Sequence, residues 1–150
     1  LCYLNTTNGL KTWSLSSLSY GKTNARSMAS NGNIIYFVSN SGKTVHAINS
    51  ENNSVLWTVD LRYNSSDSDK QAYMMDCGLL YRNGLVIHVA ERGRITLINS
   101  STGAIVDSYD AVGYPERALW STPEAYDSKI FACGIDGKVY CVGYNTNNAQ

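Results

Sequence analysis

Little in this chain is suited to moving protons or ligating metals near neutral pH. Its 150 residues include only two histidines, His46 and His88, and histidine is the one side chain whose ordinary pKa lies there. A histidine-based metal centre or a Ser-His-Asp triad needs several converging partners, and two histidines with no shared motif do not supply them. The four cysteines (Cys2, Cys77, Cys133 and Cys141) contain no CxxC pair, so zinc-type spacing is absent. They read either as buried thiols or as disulfide partners. Glycine-rich phosphate loops, paired carboxylates on one element and Asp-x-Asp-x-Asp calcium loops are also missing from the sequence. Charge is scarce and balanced: 12 basic and 12 acidic residues give a formal net charge of zero. No long-range field then gathers nucleic acid or an anionic surface. No run approaches the roughly 18 apolar residues of a spanning helix. Only two prolines interrupt the chain.

What is abundant is repetition. The fullest copies are NGNIIYFVSNSGKTVHAINSENNSVLW (31–57), NGLVIHVAERGRITLINSSTGAIVD (83–107) and DSKIFACGIDGKVYCVGYN (127–145), while CYLNTTNGLKTW (2–13) is the back half of the same phrase. Aligned on the apolar residue before the turn (Leu4, Ile48, Ile98 and Val142), the separations are 44, 50 and 44 residues. That period matches propeller blades better than leucine-rich, ankyrin or tetratricopeptide units. Each copy has short β-branched or aromatic runs separated by turn dipeptides, which predicts strands rather than helices. Asn31-Gly32 and Asn83-Gly84, with Asp127-Ser128 in the third copy, supply the positive φ angles of tight hairpins. A second glycine follows at constant distance: Tyr36 to Gly42, Ile87 to Gly93 and Phe131 to Gly137. Asn5, Asn49 and Asn99 are expected to cap their turns through side-chain bonds to backbone amides.

The fold class expected is therefore all-β: a β-propeller of four-stranded antiparallel blades, about three and a half of them in this chain. The division expected is a half blade over 1–16, blades over 25–60 and 76–110, and an incomplete blade over 118–145. The first strands fall near 26–31, 77–82 and 120–126, the last entered at Pro123, where no backbone donor is needed.

Within WSTPEAYDSKIFACGIDGKVYCVGYN (120–145), residues 121–142 supply the front half of a longer pattern, and residues 42–57 and 2–13 supply its back half. Together they resemble the pyrroloquinoline-quinone-type propeller repeat, with Trp13 and Trp57 in the repeat's Trp position and Asp107 departing from it. The resemblance implies that Trp13 and Trp57 dock neighbouring blades, and that this contact is lost or replaced at Asp107. This repeat is shared by quinone-dependent dehydrogenases, non-catalytic outer-membrane assembly lipoproteins and many surface proteins. The dehydrogenases hold their quinone against a vicinal disulfide and a carboxylate-bound Ca²⁺. This chain has no adjacent cysteines, so no cofactor is expected.

Binding is expected on the face shared by the loops 39–43, 90–94 and 134–138 and the linkers 14–25, 60–76 and 108–120, since long loops commonly carry it. Arg26, Asp76, Arg117 and Trp120 sit at or before the innermost strands and are the candidate ligand or partner residues. Gly42, Gly93 and Gly137 are the structural turn positions. Sequons at Asn5, Asn52, Asn64 and Asn99 are candidate glycosylation sites. The function expected is that of a non-catalytic binding or scaffolding module, secreted or on a surface. The alternatives are a quinone-dehydrogenase fragment and a self-assembling subunit. Its partner is a protein, a glycan, the remainder of its own propeller or another copy. No nucleic acid or membrane span is expected. Starting inside a repeat, the chain reads as a processed product or as part of something larger.

Overall fold

Among the described residues, four antiparallel sheets follow one another along the chain, each a simple meander. The computed structural model describes residues 2–4, 7–8, 11–14, 28–39, 44–61, 78–90, 93–110, 119, 121–134 and 136–145. The first sheet pairs β1 (Cys2–Leu4) with β2 (Lys11–Ser14), Tyr3 standing opposite Trp13. The second orders β3 (Met28–Asn31), β4 (Ile34–Ser39), β5 (Thr44–Asn49) and β6 (Val55–Asp60). The third orders β7 (Gly78–Arg82), β8 (Leu85–Val89), β9 (Arg94–Asn99) and β10 (Ile105–Asp110). The fourth has β11 (Glu124–Tyr126), β12 (Lys129–Cys133) and β13 (Val139–Gly143). The fold is all-β, the partial propeller that the repeat predicts.

Turn chemistry sets the hairpins. Asn83-Gly84 and Asp127-Ser128 each join two strands as a two-residue loop with both φ angles positive, the geometry that matches the right-handed strand twist. The first full blade differs by one residue. Asn31 stays in the strand, paired with Ile34, and the loop is Gly32-Asn33, of which only Gly32 has positive φ. The extra Asn33 displaces the turn from the Asn-Gly pair itself. At the other end, Gly93 (φ 84°) donates to the Ala90 carbonyl, as Gly137 (φ 78°) does to that of Gly134.

Alternation then sorts the side chains into layers between sheets. Tyr36, Val38, Val45, Ala47 and Trp57 of the second sheet pack with Leu79, Val86, Ala90 and Ile98 of the third. Leu85, Ile87, Val89, Ile95 and Leu97, on the third sheet's opposite face, pack with Ala125, Ile130 and Ala132 of the fourth. Each fully buried branched or aromatic side chain here contributes about 1.5–3 kcal/mol. The first strands converge: β7 touches both β3 and β11, placing them innermost, as in a propeller. The third blade's first strand is interrupted. Leu119 bridges Gly134, Pro123 lacks an amide to donate, and the Ser121 hydroxyl accepts from the Cys133 amide at 2.8 Å before β11 begins.

Candidate functional site

The best-built features of this chain are its seams, where one blade meets the next. In the first full seam, the Trp57 indole on β6 reaches the β9–β10 turn of the following blade. Its Nε1 donates to the Ser100 carbonyl at 2.9 Å, and the Tyr36 hydroxyl donates to the same oxygen at 3.4 Å. A Cβ on Gly103 would meet the indole at 2.8 Å, so glycine is required by that approach as well as by its φ of +76°. Tyr36 stacks on Tyr81 across the seam with centroids 5.9 Å apart, and lies 5.8 Å from Trp57. Burial raises the Tyr36 phenol pKa.

The turn that receives Trp57 is shaped by Asn99, whose Oδ1 accepts from the Ser101 and Thr102 amides, both at 3.0 Å. Asn49 does the same for Glu51 at 2.8 Å. A further backbone bond recurs in three blades, from Ser50 to Asn33, Ser100 to Gly84 and Tyr144 to Ser128. It ties each outer turn to its own hairpin. Where the repeat's Trp is replaced, Asp107 turns to its own strand. It accepts from the Ser108 amide and the Tyr109 hydroxyl, each at 2.7 Å, and the latter bond raises the Tyr109 pKa.

Both histidines are buried. His46 is stacked on Phe37, its Nε2 is 2.7 Å from the Ser39 hydroxyl and its Nδ1 3.0 Å from the Thr58 hydroxyl. His88 is fully buried, opposite Leu79 and Thr96, with neither ring nitrogen hydrogen-bonded. Desolvation lowers both pKa values from 6.5 to about 4, so both rings are neutral at pH 7. The Ser39–His46–Thr58 chain is the arrangement that sequence reading missed. Its members come from three strands, and only the register Phe37↔His46↔Thr58 reveals it.

Arg26, Asp76, Arg117 and Trp120 lie outside the described residues, as do Gly42, Asn64 and Asn5. Of Trp13 only the backbone is described. Asn52 is exposed, and its Oδ1 accepts from the Ser54 amide at 3.0 Å. Asn99 is half-buried within its turn. Charged groups that are described sit at the surface: Arg94 holds Asp110 through two bonds of 2.9 and 3.2 Å. Asp136 accepts from the Tyr140 hydroxyl at 2.7 Å and pairs with Lys138 at 2.9 Å, which lowers its pKa to about 2.

Sheets repeated around converging first strands, locked by a Trp on the next blade's turn, define a β-propeller segment. The chain belongs to the pyrroloquinoline-quinone-like propeller family, matching over residues 2–149 the model described as outer membrane protein assembly factor BamB. It matches no curated protein sequence. Among solved structures it is similar to a europium-containing methanol dehydrogenase (19% identity, TM-score 0.67, covering 90% of this chain and 25% of that one). It is also similar to BamB from Moraxella catarrhalis (21% identity, TM-score 0.55, 77% and 32%). A third is Sqt1 from Saccharomyces cerevisiae (12% identity, TM-score 0.67, 94% and 37%). The chain thus spans between a quarter and about two fifths of these proteins.

The family name raises the question of a bound quinone, and the donors among the described residues do not fit one. The innermost strands β3, β7 and β11 carry Arg82 and Glu124 as their only charged residues. Cys133 and Cys141 lie outward of them, on β12 and β13, and are not adjacent in sequence.

Proposed function

We propose that this chain is a segment of a larger propeller that serves as a non-catalytic binding and scaffolding module outside the cytoplasm. One observation supports it most. The outward face of the fourth sheet carries Phe131, Cys133, Val139 and Cys141, at the repeat positions of Tyr36, Val38, Val45 and Ala47. Those four, and Ile87, Val89, Ile95 and Leu97 in the next copy, are at most 2% exposed. Val139 is 67% exposed and both cysteines are exposed. A face patterned for burial, and left uncovered by the described residues, fits a further blade. On this reading 1–16 is a half blade, 25–60 and 76–110 are blades, and 118–145 is a blade to be completed.

The partner is a protein held on the linker face, with Arg26, Asp76, Arg117 and Trp120 as the contacting residues. The family's description as an assembly factor supports a protein partner over a small substrate. Immobilised chain is expected to retain a defined protein from an envelope extract, and Arg117→Glu to reduce that retention at least tenfold. Retention of nothing, with stable assembly of the chain on its own, would make it a purely structural component. The dehydrogenase likeness is one of fold. Dye reduction on adding quinone, Ca²⁺ and an alcohol would replace the binding reading with a catalytic one.

A further inference from the structure

The two cysteines on the face of the fourth sheet that the described residues leave uncovered form a pair that nothing in the repeat requires. Phe131 stands opposite Cys141, and Cys133 opposite Val139. The Gly134 amide donates to the Lys138 carbonyl at 2.8 Å, so 134/138 is a hydrogen-bonded pair. By alternation 133/139 and 131/141 are the close, non-hydrogen-bonded pairs. Cys133 and Cys141 are therefore diagonal neighbours on one face of one hairpin, and the opposite face, with Ile130, Ala132, Tyr140 and Val142, is packed on the third sheet. The same sense of diagonal is already closed in the β4–β5 hairpin. There Ser39, opposite Thr44, meets His46 at 2.7 Å.

We propose that Cys133 and Cys141 are a dithiol modification site, closed to a cross-strand disulfide by a disulfide oxidant such as glutathione disulfide. Both thiols are free and exposed, so the oxidant can reach them as long as no further blade covers the face. One cysteine thiolate attacks a sulfur of glutathione disulfide, releasing one glutathione and leaving a mixed disulfide. The second thiolate attacks that protein sulfur and releases the second glutathione. Two protein thiols lose two protons and two electrons, and the glutathione disulfide is reduced to two thiols. Diagonal neighbours start about 7–8 Å apart before twist, beyond the roughly 4.4–6.8 Å that a disulfide spans, so closure must draw the two strands together. Right-handed twist shortens the gap, and the residual strain makes the bridge easily reduced. It ties β12 to β13 and converts the face that a further blade would cover from two thiols to one bridge.

Cleavage after Lys129 and Lys138 places the two cysteines on separate peptides, so the pairing can be read directly. Reduced chain is equilibrated with glutathione and glutathione disulfide, acid-quenched, alkylated and mapped by mass. The expected product joins peptides 130–138 and 139–150 with the loss of two hydrogens, and both thiols lose reactivity together. Cys141→Ser is expected to trap glutathione on Cys133, at least tenfold more than the unaltered chain does, with circular dichroism unchanged. Separate glutathione adducts on both cysteines of the unaltered chain, or pairing of either with Cys2 or Cys77, would overturn the proposal.

Discussion

Trp57 of one blade lies over Gly103 of the next, so closely that a methyl group on Gly103 would sit 2.8 Å from the indole. The same indole donates to the neighbouring Ser100 carbonyl at 2.9 Å. One side chain thereby helps to fix both the distance and the register of two sheets whose other described contacts, apart from the Tyr36 hydroxyl on the same carbonyl, are apolar and less directional.

Trp57→Ala is expected to cost about 3–5 kcal/mol by chemical denaturation, as large-to-small changes in packed cores do. Trp57→Phe, which keeps a ring and loses the donor, is expected to cost roughly 1–2 kcal/mol. Gly103→Ala combines a clash with a positive φ and is expected to lose about 2 kcal/mol or more. Because the two residues touch, the double variant Trp57→Ala/Gly103→Ala should lose less than the sum of the singles. Strict additivity would mean that the contact does not hold the seam.

Asn53 occupies the position of Gly103 one copy earlier, with φ 61° and a buried Oδ1 that lacks a partner. Asn53→Gly relieves both the left-handed backbone and the unpaired oxygen, against the extra chain entropy of glycine. The expected outcome is a small gain, on the order of 0.5 kcal/mol. Asn53→Ala also removes the unpaired oxygen but keeps a Cβ in the left-handed region without the tolerance of Asn, and is expected to lose about 1 kcal/mol. Urea midpoints ordered Gly, Asn, Ala from most to least stable would agree. Ala at the top would not.

Blade period and strand type were legible because each rests on local chemistry. Asn83-Gly84 forms its hairpin wherever the sheet lies, and six residues separate Ile87 from Gly93 regardless of partners. The slip of the first turn to Gly32-Asn33 was not legible, since Asn31-Gly32 and Gly32-Asn33 are both acceptable loops and only the pairing of Asn31 with Ile34 decides. What Trp57 touches was equally hidden. Its repeat position implied docking, but the receiving Ser100 and Gly103 belong to the next copy, and nothing local links residues 43 apart. The histidines followed the same rule: His46 gained hydroxyl partners from two other strands, while His88, also inside a strand, gained none.

His88 and His46 make stability depend on pH, with a sign set by their lowered pKa values. Both fall from 6.5 to about 4 on folding, so between these values the unfolded chain binds more protons than the folded one. Their contribution is fully present above about pH 6.5 and is lost as pH falls toward 4. For His88 alone the loss across the window is on the order of 3 kcal/mol. His88→Leu removes the orphaned ring nitrogens at similar volume, and should raise stability at pH 5 more than at pH 7.5. Equal shifts at both pH values would show that His88 does not titrate with unfolding.

Gly78 opens β7 against the segment that leads into β11. A Cβ there would lie 2.6 Å from the Thr122 Cα and 2.8 Å from the Pro123 Cδ. Because the obstacle includes backbone, it cannot swing aside. Gly78→Ala is expected to cost about 2–3 kcal/mol, loosening the inner edge of the second seam. Hydrogen exchange should show faster exchange of amides in β11 and β12, with those in β4 and β5 little changed. Uniform acceleration across all sheets would place the effect elsewhere.

The face of the fourth sheet that the described residues leave uncovered predicts how the isolated chain behaves as it is concentrated. Val139 is 67% exposed, whereas its counterparts Val45 and Ile95 are fully buried in closed seams. On the outer side of β13 no strand pairs within the described residues, and such an edge invites association. The 150-residue chain is therefore expected to self-associate reversibly at high concentration, as read by sedimentation velocity. Val139→Lys places a charge on that face and should raise the midpoint concentration at least tenfold, since burying an unpaired ammonium is costly. Its thermal midpoint should change little, because residue 139 makes no contribution to the core of the folded monomer. Self-association that survives the lysine would locate the contact on another surface, with the outer strands β6 and β10 next to test through exposed Val55, Leu56 and Ile105.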